Sequence, residues 1–97
     1  MGTQTIIELV GHCDIHSASK RRSDLIEAMR GSDEVWIDSE RAEYLDLTFI
    51  QLLVSASKTA RVTRTRLRFA PVSAAFRDAF ERAGVRLSPN QDQIDLR

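Results

Sequence analysis

Along the chain the apolar residues change their spacing several times, and each change marks a predicted element. Thr5 to Val10 gathers Ile6, Ile7, Leu9 and Val10 into a β-branched run that stops at Gly11, which predicts a buried strand. From Ser17 to Arg30 the spacing turns helical, with Ala18, Leu25, Ile26 and Met29 on one side, Ser17 as N-cap and Gly31 as stop. Glu34 to Asp38 reads as a second strand, and its consecutive Val35, Trp36 and Ile37 suit a strand covered on both faces.

After a polar connection, Thr48 to Ala60 predicts a helix, since Phe49, Leu52, Leu53, Ala56 and Ala60 recur at three- and four-residue spacing. Arg66 to Ala70 alternates charged and apolar side chains, the pattern of a strand with one solvated, basic face. Pro71 and Ser73 open a third helix with Phe76, Ala79, Phe80 and Ala83 as its buried stripe, Gly84 ends it, and Val85 to Leu87 fits a last short strand. This alternation of strands and helices predicts an α/β domain with right-handed crossovers. Its core covers about residues 5–87 and a polar tail residues 88–97, with no repeat or linker to divide the chain.

Composition narrows the class. The 97 residues suffice for one hydrophobic core and one domain, and the balance of 42% hydrophobic and 29% charged residues is that of a globular chain. Lys and Arg number 14, as do Asp and Glu, so the net charge of zero argues against nucleic-acid or anionic-membrane binding driven by bulk charge. The single cysteine, Cys13, excludes an internal disulfide or CxxC pair and fits a reducing, cytoplasmic setting. The longest uninterrupted apolar runs, such as Leu52 to Val54, are three residues and far short of the roughly 20 that span a bilayer, and no secretory leader opens the chain, so direct membrane insertion is not expected.

Two segments concentrate candidate chemistry. Gly11-His12-Cys13-Asp14-Ile15-His16 offers a metal site or a Cys/His nucleophile. In an extended segment, however, His12, Asp14 and His16 share one face and Cys13 takes the other, so the ligands do not converge; neither a metal nor a cofactor is expected. Tyr44-Leu45-Asp46-Leu47-Thr48-Phe49 joins a strand to an apolar helix, the junction where α/β proteins gather ligands and modifications. Thr48, at the helix start, would hold a phosphate at the positive end of the helix dipole; the alternative is that Asp46 or Thr48 only caps the helix.

These segments together resemble a known family. Leu9 to Ala18 is similar to the "GELD…TA" region that opens STAS domains, the fold of bacterial anti-sigma factor antagonists and of sulfate-transporter tails. Asp38 to Asp46 followed by Leu47-Thr48-Phe49-Ile50 takes the place of the family's strand, loop and "D-S-S-G-L" or "D-T-A-G-L" motif, and Phe69 to Ser73 through Phe80 to Val85 resembles its closing strand and helix. The resemblance, from about residue 5 to residue 87, implies a single STAS-like domain over residues 1–97. Such a domain has a mostly parallel or mixed sheet of four to five strands and three to four helices. It also implies a non-enzymatic module that docks a regulatory protein, an anti-sigma factor, a histidine kinase-like protein or a chemotaxis-type kinase assembly, through Asp14, Asp46, Leu47, Thr48 and Phe49. In many members the first Ser or Thr after the motif Asp is phosphorylated, which breaks the complex. Here that position is Leu47, so the switch is absent or moved to Thr48, and the motif glycine is replaced by Phe49, which either fills the core or contacts a partner. A second implied role is that of an accessory STAS subunit of an ABC-type lipid transporter.

The zero net charge hides local segregation. Between Asp33 and Asp46 six acids (Asp33, Glu34, Asp38, Glu40, Glu43, Asp46) meet only Arg41, a local net of −5, and between Lys58 and Arg68 five bases (Lys58, Arg61, Arg64, Arg66, Arg68) meet no acid, a local net of +5. Both stretches are either solvated faces or a polarity that orients a protein partner. The basic stretch lacks interleaved aromatics for stacking on bases, so nucleic acid is not an expected partner. Arg66 to Ala70, if it forms a sheet edge, leaves a homodimer open, although its arginines discourage edge-to-edge pairing.

Overall fold

The computed structural model describes residues 2–88 and 93–94. Six elements follow one another: β1 (Gln4–Cys13), α1 (Ile15–Gly31), β2 (Glu34–Leu45), α2 (Leu47–Thr63), β3 (Arg66–Val72) and α3 (Ala74–Arg82). The strands form one parallel sheet in the order β1-β2-β3, which makes β1 and β3 its two edges. The α/β reading therefore holds, with three strands among the described residues where four or five were expected. Val85 to Leu87 is the missing strand. Behind α3 the chain turns through Gly84 at φ 74°, the Val85 N–H donates back to the Phe80 carbonyl at 2.9 Å, and Leu87 makes only a single antiparallel bridge, to Ile94. The segment closes a helix and so does not reach the sheet.

All three helices lie on one face of the sheet. Ile7, Leu9, Val35, Ile37, Leu67 and Phe69 point from the strands into a single core with Leu25 of α1, Phe49, Ile50 and Leu53 of α2, and Phe76 and Phe80 of α3. The Phe76 and Phe80 rings stack at 4.3 Å between centroids, and both lie against Phe69. Residues one position out of phase face the other way and meet no helix among the described residues. Ile6 (66% exposed), Val10 and Tyr44 lie open there, and Trp36 is half-buried. Consecutive Val35, Trp36 and Ile37 therefore do not mark a strand covered on both faces. Trp36 belongs to the open face, where the Arg68 guanidinium covers its ring at 5.8 Å and its indole N–H donates to Glu34 Oε1 at 2.9 Å. Those contacts, not a helix, shelter it.

Both long strands outrun their apolar runs. β2 continues to Leu45 because register shifts after Ile37 and after Glu8 reset which residues face inward, so Ser39, Ala42 and Leu45 enter the core at three-residue spacing. Ser39 is fully buried and donates to the Pro71 carbonyl at 3.3 Å, while Ser73 donates to the Ala42 carbonyl at 2.9 Å. β1 likewise runs on through Gly11, whose φ of 69° lies in the left-handed region that only glycine enters without strain, beside a second register shift. A helix start also moves. Asp14, not Ser17, caps α1: Asp14 Oδ1 accepts from the His16 N–H at 3.0 Å, and Ser17 Oγ accepts from the Asp14 N–H at 3.2 Å, a reciprocal capping box.

Candidate functional site

Parallel strands put the carboxyl ends of β1 and β2 side by side, and each is followed at once by a helix. The first turns of α1 and α2 thus emerge at the same pole. Each leaves backbone N–H groups without helical partners and carries the positive end of a helix dipole. Asp46 serves both. Its Oδ1 accepts from the Phe49 N–H at 2.9 Å, capping α2, and its Oδ2 accepts from the Ile15 N–H at 2.9 Å, at the start of α1. The Asp46 N–H in turn donates to the Cys13 carbonyl at 3.1 Å, fixing the loop to the end of β1. One carboxylate thus ties two helices and a strand together.

Around that knot the expected site residues separate into surface and core. Leu47 is the first residue of α2 and 59% exposed, and Ile15, the first residue of α1, is 61% exposed, so an apolar side chain stands at the start of each helix. Thr48 is exposed, as the second helical residue instead of the first. Asp14 is half-buried and occupied as a cap. Phe49 has no exposed surface: of the two readings of its ring, the core is the one the structure shows. Helical geometry explains this, because the third residue of α2 turns back over the sheet, where the apolar stripe begins.

The His/Cys segment does not assemble a reactive group. β1 runs to Cys13 and turns its thiol into the core, where burial pushes the thiol pKa up, Arg21 opposing and Asp14 and Asp46 adding to the rise. His12 points the opposite way, onto the open sheet face, with its ring 5.6 Å from that of Tyr44, and His16 is exposed in the first turn of α1. The expected shared face of His12, Asp14 and His16 is broken because a cap and a helix follow Cys13 in place of an extended loop. Among the described residues no three His, Cys, Asp or Glu side chains converge as a metal-binding group, and no described helix is long and apolar enough to cross a membrane.

Two features escaped the sequence reading. A groove of about 570 Å³ runs between α1 and α2, floored by Leu25, Met29, Leu52 and Ala56 and edged by Arg22 and Arg30. The open sheet face is the other. Its signal was present in Ile6, Glu8, Val10 and His12, which alternate with the buried Ile7 and Leu9, but the apolar character of Ile6 and Val10 masked the alternation.

This parallel α/β layer, with its strands and helices alternating along the chain, is consistent with the STAS fold. The chain belongs to that family: the family model described as "Mlab, STAS domain" matches residues 1–87. No curated protein sequence matches the chain. Among solved structures it is similar to the anti-sigma factor antagonist SpoIIAA in its unphosphorylated form, at 20% identity and a TM-score of 0.71 over 84% of this chain and 74% of that one. It is also similar to a part of Mglu, at 14% identity and a TM-score of 0.63, where the match spans 71% of this chain but 17% of the longer one. At such identities these likenesses speak for the fold.

Proposed function

We propose that the protein is a non-enzymatic, protein-binding signalling module that docks a regulatory partner, an anti-sigma factor or histidine kinase-like protein, on the pole around Asp46. The observation that carries this reading is the pair of exposed apolar side chains, Ile15 and Leu47, set at the starts of two helices that one carboxylate holds in place. Preorganised apolar anchors lose little entropy on binding, which favours contact with a protein surface. The likeness to SpoIIAA supports a partner of the anti-sigma class.

Leu47 cannot accept a phosphate, so the module binds constitutively unless Thr48 is modified. A phosphate on Thr48 would bring a charge of about −1.5 to −2 next to Asp46 and would oppose an acidic partner surface. A second reading, an accessory subunit of an ABC-type lipid transporter, draws on the description of the matching family as Mlab. Both readings place the partner at the same pole and differ in its identity.

Crosslinking and co-purification from the native cell, with wild type beside Leu47→Glu and Thr48→Glu, test both. Recovery of a kinase or anti-sigma factor with wild type, reduced about tenfold or more in the variants, supports the first reading. A membrane ATPase complex lost in the same variants supports the second. Partners retained equally by all three proteins would remove the Asp46 pole from the interface.

A further inference from the structure

We propose that the open face of the sheet is a second docking surface, and that its occupant is a basic amphipathic helix of a partner protein. Parallel sheets are nearly always covered on both faces, and here the three helices cover one. The uncovered face is mixed, with apolar and aromatic groups set among its charges. Ile6 and Val10 are 66% and 50% exposed, Tyr44 is 48% exposed, and Trp36 shows part of its ring. Register sets Ile6 beside Trp36, and His12 beside Tyr44, so the apolar and aromatic groups form rows across β1 and β2.

Charge selects the occupant. On this face the described ion pairs are those of Glu34 with Arg66 and Arg68 at the β3 edge. Glu8, Asp38, Glu40 and Glu43 have no cationic partner among the described residues, and Asp38 accepts only the Glu40 N–H, at 3.0 Å. These four acids outweigh Arg41 and the one cation left over where Arg66 and Arg68 share Glu34, so the face stays net negative, which disfavours a second copy of the same face, a nucleic acid or an anionic membrane, and favours lysines and arginines. The face already displays such a contact, since the Arg68 guanidinium lies over Trp36, and the outer ring of Tyr44 presents the same π surface to an incoming cation. A helix with an apolar stripe and basic flanks would supply the missing layer. It would seat its stripe on Ile6, Val10 and the two aromatic rings.

This surface is distinct from the Asp46 pole, and its test needs no natural partner. Trp36 is the single tryptophan, so it reports from the site itself. The probe is a synthetic amphipathic helical peptide of leucine and lysine, set against the same peptide with glutamate in place of lysine. The lysine peptide should shift Trp36 emission to the blue and perturb backbone amide resonances of outward residues in β1 and β2. Glu8→Lys with Glu43→Lys, both exposed and free of structural bonds, should weaken it about tenfold, and the glutamate peptide should not bind. Absence of binding, equal binding of the two peptides, or perturbations confined to the α1–α2 groove would overturn the proposal. So would a wild-type dimer, seen by analytical ultracentrifugation, that Ile6→Glu dissociates, because the occupant would then be a second copy.

Discussion

Asp46 and Phe49 sit three residues apart and contribute to different things. Asp46 spends both carboxylate oxygens on backbone donors, Phe49 and Ile15, in two helices that are distant in sequence. Asp46→Ala therefore leaves two N–H groups to find water and should destabilise the protein by about 1–3 kcal/mol, read as the shift of a urea unfolding curve. Asp46→Asn retains one acceptor oxygen and should cost less. The sequence left the cap open between Asp46 and Thr48, both placed before an apolar helical stripe, and the second bond of Asp46 could not be read there. That bond depends on the adjacency of β1 and β2, and strand order is not written in local spacing.

At the scale of elements, the sheet is held across its width at the Glu34 carboxylate. The Trp36 indole and the Arg68 and Arg66 guanidinium groups converge on it from β2 and β3, and the Gln4 amide reaches it from β1 at 3.5 Å. The indole hydrogen bond leads in lowering the Glu34 pKa below its ordinary 4.5, with the Arg68 hydrogen bond and the charges of Arg68 and Arg66 adding to it. A carboxyl with a lowered folded pKa stabilises the fold above its unfolded pKa and loses that contribution as the pH falls through the folded value. Thermal midpoints of wild type should accordingly fall more steeply than those of Glu34→Gln below about pH 4.5. If the two profiles ran parallel, the charged form of Glu34 would be contributing nothing to the sheet. The elements themselves were legible wherever one period persisted, as in α2 and α3. They were lost where bulges changed the period, which hid the far half of β2 behind Ser39, Glu40, Arg41 and Glu43.

On the scale of the molecule, the sequence yielded the family and the one-domain plan, because the core residues and the three motif-like segments keep their order along the chain. The fully buried Phe49 belongs to the one core shared by all six elements. Phe49→Ala should therefore cost about 3–5 kcal/mol, a large share of the roughly 5–15 kcal/mol that holds a domain folded, and unfolding followed by far-UV circular dichroism should show a markedly lowered midpoint. A folded Phe49→Ala protein that had lost only its partner would return the ring to the interface. Charge changed its meaning at this scale. The acidic stretch lies along β2, mostly on the open face, whereas the basic stretch divides: Lys58, Arg61 and Arg64 stay on or beside α2, and Arg66 and Arg68 fold back onto Glu34.

The doubly bonded Asp46 also carries a kinetic consequence. The first turn of a helix is where fraying starts, and ordinarily each helix frays alone. Here the Ile15 and Phe49 amides are held by the two oxygens of a single side chain, so a rotation of that carboxylate exposes both to solvent in one event. The Ile15 and Phe49 amides should thereby exchange with solvent together, while the Asp14 cap holds the rest of the first turn of α1. A partner docked at this pole as proposed should slow the exchange of both amides together.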